Sequence, residues 1–465
     1  MESKPAATPM LIAMFVAAAV VGASAATHTV TDSISLAISN AHPGDTVVIP
    51  GPRVYREQIV INKPLRVIGT NSPIIDAGGS NHTINITAEG VKITGITARN
   101  SGKDLNTLDS AIMITGDRAT IRHCRTENDA FGIYLRGASE CVIEQNEITG
   151  DPAWTPSLRG NGIHLWKTKK NRITSNVICD KRDGIYFSFA DRNLIGGNRI
   201  HDTRFAIHYM YSHFNQLLTN TFTRNSVGAT LMFSQWSNVE GNFVFANRRH
   251  GMVFKQLDNS TIRRNIITGQ NRGLFVQQAA QCRFEGNVIS TNDIGVYLSN
   301  GSEQNIFTAN AFIQNTDHVW QPPYEADMGR RGPNQFYEKG RGNFWSDYTG
   351  TDAAGDGIGD TPYHETDVYG YVLDRFPEAR VFALSPALAA LRKGEELLPL
   401  LDTLGVTDLY PMMKPFGAGA GSTSHTLPLR AGSSRGNETH FNTREAHGVE
   451  RDPSLLTSAA PGRKQ

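Results

Sequence analysis

The chain repeats itself. A five-residue frame recurs as FGIYL from residue 131, NGIHL from 161, DGIYF from 183 and FAIHY from 205, then as VGATL from 227, HGMVF from 250, RGLFV from 272 and IGVYL from 294. Successive frames start 30, 22, 22, 22, 23, 22 and 22 residues apart. A second series keeps the same phase: Asn146, Asn176, Asn198, Asn220, Asn242, Asn265, Asn287 and Asn310. Five residues ahead of each stands Cys141, Asn171, Asn193, Asn215, Ser237, Ser260, Cys282 or Asn305.

A fixed period near 22 residues, with short apolar segments and turn residues in each unit, predicts an all-β fold. The expected form is a right-handed parallel β-helix, a solenoid of coils running over residues 26–332. One coil cannot bury its own apolar side, so coils must stack at about 4.8 Å and share a core. Asparagines at one position of successive coils can then form amide ladders. The leucine-rich repeat has a similar period, but its L-x-x-L-x-L pattern is absent here. Cys124 extends the Asn series back by one coil. Cys141 and Cys282 lie in the preceding series, and Cys179 pairs with none of them on an adjacent coil. The thiols therefore read as small stacking residues rather than as disulfide partners or copper ligands. No CxxC or CxxH spacing supports zinc.

Strand alternation separates inside from outside. Ile133, Ile163, Ile185, Ile207, Ala229, Met252, Leu274 and Val296 form one inward column. Leu135, Leu165, Phe187, Tyr209, Leu231, Phe254, Val276 and Leu298 form the next. The residues between them face outward: Tyr134, His164, Tyr186, His208, Thr230, Val253, Phe275 and Tyr297. Beside these run Arg136, Trp166, Ser188, Met210, Met232, Lys255, Gln277 and Ser299. Neither outward column holds Asp or Glu. The 30-residue step inserts DPAWTPSLRG just before His164, which would set Trp154 and Arg159 at the border of this face.

An exterior rich in aromatic, His and Met residues departs from a plain solvated face. Three readings of it stay open. It is an aromatic face covered by a terminal segment; it is a protein-docking surface of Trp154, Arg159, His164, Trp166, Tyr186, His208, Met210 and Met232; or it is a soft metal site. For the last, His208, Met210 and Met232 lie a rung or a strand step apart, with His164 near. Thioether and imidazole together suit Cu(I).

The start reads as a secretory signal over residues 1–25: Lys4, an apolar run from Met10 to Val21, then Ala23-Ser24-Ala25. A retained anchor is the alternative. With a net charge of +1 and 19% charged residues, composition makes no case for nucleic acid. Past the repeat, residues 333–375 read as a capping region in which Trp345 and Tyr348 close the last coil. Within it, Asp352, Asp356 and Asp360 alternate with glycines, as a Ca²⁺ loop or a plain Gly-Asp turn cluster would have them. Residues 376–416 turn Leu- and Ala-rich at helical intervals, a candidate docking segment. Residues 417–465 lack an apolar pattern and read as disordered.

The strings YREQIVINKPLRVIG, RGNGIHLW, RDGIYFSFA, AIHYMYS, RGNFWSDY, DGIGDTPY and the late FALSP and YPMMKP resemble the NosD family, in order from about residue 45 to 416. That resemblance implies a periplasmic, non-enzymatic protein working with the NosF–NosY ABC transporter and the copper chaperone NosL. It implies a role in building the copper–sulfide centre of nitrous oxide reductase. The tail after Gly417 has no counterpart in the family pattern. The rival from another class is a β-helical carbohydrate-active enzyme: a lyase, hydrolase or epimerase. Such enzymes need carboxylates, or a base with Ca²⁺-binding Asp, on one outward face. A structural adhesin is a second rival.

Overall fold

A computed structural model of the chain describes residues 25–299, 301–321, 332–365, 385 and 406–415. Most of the apparent signal, the candidate docking segment apart from residues 385 and 406–415, and the tail therefore lie outside the described residues.

The described chain winds as a parallel β-helix. Each coil contributes a strand to each of three parallel sheets, of 13, 12 and 13 strands among the described residues. Strands of the 12-stranded sheet are the longest, up to nine residues in Val227–Gln235 and His250–Asp258. The other two sheets are built mostly from three-residue strands, such as Arg172–Thr174 and Val177–Cys179. The expected columns are the observed register. Ile133 pairs with Ile163, Ile163 with Ile185, and Ile185 with Ile207, all fully buried.

The asparagine ladder explains why one residue type recurs. Asn198 Nδ2 donates to Asn220 Oδ1 at 2.9 Å, and the Asn198 backbone N–H donates to the same oxygen. Asn220 repeats both bonds onto Asn242. Each amide thereby occupies a buried corner where the chain turns between sheets and its backbone groups would otherwise lack partners. Cys124 and Cys141 donate their backbone N–H into this pattern, to Asn146 and Asn171.

The glycine of the frame has a steric cause. A Cβ on Gly184 would sit 2.5 Å from the Ala206 carbonyl oxygen and 2.4 Å from Ile200 Cγ2. The coils approach too closely there for most side chains.

A further polar ladder runs along the corner entering the long-strand sheet, through Thr203, Asn225, Asn247, Gln270 and Asn292. It stops at the inserted loop, where Lys181 takes the ladder position. Its amine donates to the Asp129 carboxylate and, at 3.2 Å, to the Asp129 carbonyl oxygen. Both side chains are almost wholly buried.

Both ends of the described solenoid are covered. Helix Ile34–Asn40 lays Ile34 and Ile38 on the first coils, with Ser33 as N-cap and the Glu57 carboxylate accepting from Ile34 N and Ser35 N. At the other end, Phe344–Trp345 adds the last strand of a 13-stranded sheet. Trp345 stacks between Phe312 at 4.4 Å and Tyr363 at 4.2 Å, and its Nε1 donates to Asp408.

Candidate functional site

The outer face of the long-strand sheet carries the aromatic and histidine ladder. Tyr134, His164, Tyr186, His208 and Thr230 occupy successive rungs in register. Ring centroids are 4.3 Å apart from Tyr134 to His164, 4.7 Å to Tyr186 and 4.9 Å to His208.

Strict alternation misses part of this face. The paired register joins Asp183 to Phe205 and Ile185 to Ile207 but leaves Gly184 out. Across that position, Gly184 here and Ala206 one coil on, the strand bends, so the residue ahead of it turns outward to meet the residue three later. Phe131 packs on Tyr134 at 5.4 Å, Phe205 packs on His208 at 5.0 Å, and Asn161 bonds His164. Asp183 therefore belongs to the outer face. This corrects the expectation of a face without carboxylates. The signal was present in the strings DGIYF and TRFAIHY, but it needs the i to i+3 rule to be read.

Asp183 ties the site together. It accepts from Arg204 Nε and Nη2, each at 2.8 Å, and from His208 Nδ1 at 2.9 Å. Burial alone would raise its pKa, but the bonds from His208 and Arg204 outweigh that and hold the carboxyl well below the usual range. An ionised carboxylate can only accept, so His208 Nδ1 carries the proton. His208 Nε2 is buried with no hydrogen-bond partner among the described residues. Thr230 Oγ1, on the next rung, is likewise buried without one.

His164 is the opposite case. Its Nδ1 faces the Asn161 side-chain amide at 3.1 Å, and that N–H donates, so the ring proton sits on Nε2. Burial lowers its pKa to about 3, with His208 lowering it further and Asp183 opposing. His164 is a neutral contact residue with a donor, rather than a free lone pair, at its outer nitrogen.

Met210 and Met232 are register partners in the neighbouring outward column, two residues along the strand from His208 and Thr230. His208 and Met232 are nearly buried, at 5% and 7% exposure, where the sequence placed them on an open surface. Met210, His164, Trp166 and Tyr186 are half-buried. Trp166 lies between cations, with Lys167 Nζ at 4.6 Å and the Arg136 guanidinium at 5.7 Å.

Trp154 and Arg159 stand apart from the ladder in their contacts. Arg159 donates to the carbonyls of Trp154, Pro152 and Asp180, and Lys103 covers the Trp154 ring at 4.0 Å. Arg159 also lines a groove of about 410 Å³ with Arg204, Arg224 and Arg248.

The Asp/Gly loop is held by its own amides. Asp352 accepts from Asp356 N and Gly357 N, Asp356 from Ile358 N, and Asp360 from Ala353 N. Among the described residues no three His, Cys, Asp or Glu side chains gather to hold a metal. Loop amides thus engage both oxygens of Asp352 and one each of Asp356 and Asp360, as in a turn cluster.

A family model described as "Periplasmic copper-binding protein (NosD)" matches residues 145–350. A protein of Stutzerimonas stutzeri named "Probable ABC transporter binding protein NosD" is 33% identical over 377 residues, covering 77% of this chain and 85% of that one. A Pseudomonas aeruginosa protein of the same name is 32% identical over 376 residues, with 77% and 86% covered. The chain belongs to the NosD family.

Among solved structures, similarity extends to the fold alone. The A-module of the mannuronan C-5 epimerase AlgE6 of Azotobacter vinelandii superposes with a TM-score of 0.52 at 13% identity, covering 67% of this chain and 95% of the module. The Streptococcus pneumoniae adhesin PfbA gives 0.51 at 10% identity, with 65% and 93% covered. Epimerase and adhesin share the solenoid, whereas the NosD relatives carry the names of binding proteins. The ladder beyond Tyr134 lies in the matched segment: His164, Asp183, Tyr186, Arg204, His208, Met210 and Met232 all fall within residues 145–350.

Proposed function

We propose that this NosD-family chain is a periplasmic accessory protein that handles copper for the maturation of nitrous oxide reductase, in concert with the NosF–NosY ABC transporter and the chaperone NosL. Copper is cargo in this reading, taken up and passed on. The observation that carries it is the His208 imidazole, fixed by Asp183 through Nδ1, with Nε2 buried and without a hydrogen-bond partner among the described residues. A carboxylate behind a histidine orients the ring and raises its basicity toward a metal. Met210 and Met232 lie on adjacent rungs beside it and supply thioethers, which favour Cu(I). The half-buried rings of His164, Trp166 and Tyr186 border this position, where a partner delivering or receiving the ion would make contact.

The test is Cu(I) titration of the exported chain against a chromophoric competitor, with maturation followed in cells. His208→Ala, and separately Met210→Ala with Met232→Ala, are expected to weaken Cu(I) binding at least about tenfold. In cells lacking the gene, the reductase should be exported without its copper–sulfide centre. Undiminished Cu(I) binding in both variants removes the site, and a normal reductase in the deletion strain removes the function.

A further inference from the structure

The corner where the chain leaves the long-strand sheet carries a surface that copper handling does not use. Each coil turns there through two left-handed residues, three apart. Lys167 and Gln256 hold the first position in their coils, and Lys170 and Asn259 the second, with φ between 49° and 58°. In the three coils between, the same positions hold Phe189, Tyr211 and Phe233 (φ 51°) and Phe214 and Trp236 (φ 57°), with Arg192 completing the second row. Left-handed backbone is unfavourable for bulky side chains, so this choice runs against local preference.

The rings are stacked along the solenoid. Phe189 and Tyr211 lie 5.4 Å apart at 9°, Tyr211 and Phe233 4.9 Å apart at 14°, and Phe214 and Trp236 6.4 Å apart at 5°. Phe189 is 54% exposed and Trp236 53%. The charges around them are unequal. Among the described residues Lys167, Lys169 and Arg192 form no ion pair with a carboxylate, Arg192 lying over the Phe214 ring at 4.8 Å, while Lys170 pairs with Glu140. The nearby Asp191 and Asp258 carboxylates accept backbone N–H groups, from His213 and Ala280.

Stacking covers most ring faces and leaves edges outward on a convex corner. A sugar, which binds to an open ring face, finds such a face only where a stack ends. Apolar edges backed by cations match a medium that is apolar at shallow depth and anionic at its rim. That is the boundary between headgroups and acyl chains in an anionic bilayer, where Trp, Tyr and basic residues concentrate. Among the described residues no helix is long and apolar enough to cross a membrane.

We infer that this corner is a peripheral membrane contact: the edges of Phe189, Tyr211, Phe233, Phe214 and Trp236 enter the headgroup boundary of an anionic phospholipid surface, and Lys167, Lys169 and Arg192 meet its phosphates. The inference is independent of copper binding. It is tested with the full exported chain and vesicles of phosphatidylethanolamine and phosphatidylglycerol whose acyl chains are brominated, with phosphatidylcholine vesicles for comparison. Trp236 fluorescence should be quenched by the brominated anionic vesicles, and Trp236→Asn should remove the quenched component. Phe189→Asn, Tyr211→Asn and Trp236→Asn together should weaken anionic-vesicle binding at least about tenfold. Asparagine tolerates the left-handed backbone, so circular dichroism and melting should match the parent. A second variant, Lys167→Ala with Lys169→Ala and Arg192→Ala, should lose the preference for anionic over neutral vesicles and its salt dependence. Unquenched Trp236, or quenching that survives Trp236→Asn, overturns the inference. So does a purified protein partner whose binding the Asn variant loses while Trp236 stays dark to lipid.

Discussion

Two histidines on one ladder, separated by a single tyrosine, use Nδ1 in opposite ways. His208 donates a hydrogen bond from Nδ1 to Asp183, while His164 accepts at Nδ1 from Asn161. Replacing Asp183 with Asn removes the negative charge that holds the His208 ring and leaves Arg204 without its bidentate carboxylate. Asp183→Asn is therefore expected to lower Cu(I) affinity about 10–100-fold by competitive titration, and equal affinity would detach the carboxylate from the site. Acid stability belongs to the other histidine. The His164 pKa of about 3 lies below the ordinary 6.5, and that of His250 is lowered by burial to about 4. As pH falls, the unfolded chain takes up these protons first. Their contribution is full above about pH 6.5 and is lost as pH falls toward 3, at up to about 1.4 kcal/mol per pH unit for each ring. Denaturant unfolding between pH 7.5 and 4.5 should show that decline, and His164→Phe should flatten it; an unchanged slope would contradict the assignment.

At the scale of the strand and corner, most of the architecture was legible and one rule was not. Register, inward columns and the asparagine series follow from the 22-residue period, because stacked coils must repeat one cross-section. The outward place of Asp183 does not follow from alternation, since it depends on the bend after the first residue of the frame, at Gly184 and equally at Ala206 one coil on. Near-burial of His208 and Met232 was hidden for a similar reason: a sequence gives a direction for a side chain but not what lies over it. The ladder itself makes a quantitative claim. Asn220 accepts from Asn198 N and Nδ2 and donates to Asn242 Oδ1 and the carbonyls of Ile195 and Leu218. Asn220→Leu strands several of these buried groups at about 1–3 kcal/mol each. Urea unfolding should register a loss of at least about 2 kcal/mol, and a shift under half that size would count against the ladder as a stabilising element.

The described solenoid is nearly one-dimensional, each coil touching chiefly its neighbours, so its ends matter more than those of a globular domain. Trp345 closes one of them, 1% exposed between Phe312 and Tyr363. Trp345→Ala should expose the last coils to amide exchange well before the middle of the stack, while frames from residue 131 to 250 stay protected. Uniform loss of protection would mean that the solenoid unfolds as one unit. The inserted loop poses the converse case. Where the corner ladder is interrupted, the buried Lys181–Asp129 pair reaches past the gap and closes the stack beneath the loop. The segment from Asp151 to Leu158 is consequently an appendage on a wall already sealed. Its length and composition are free to drift, or to be exchanged by an engineer, while the coils on either side keep their register.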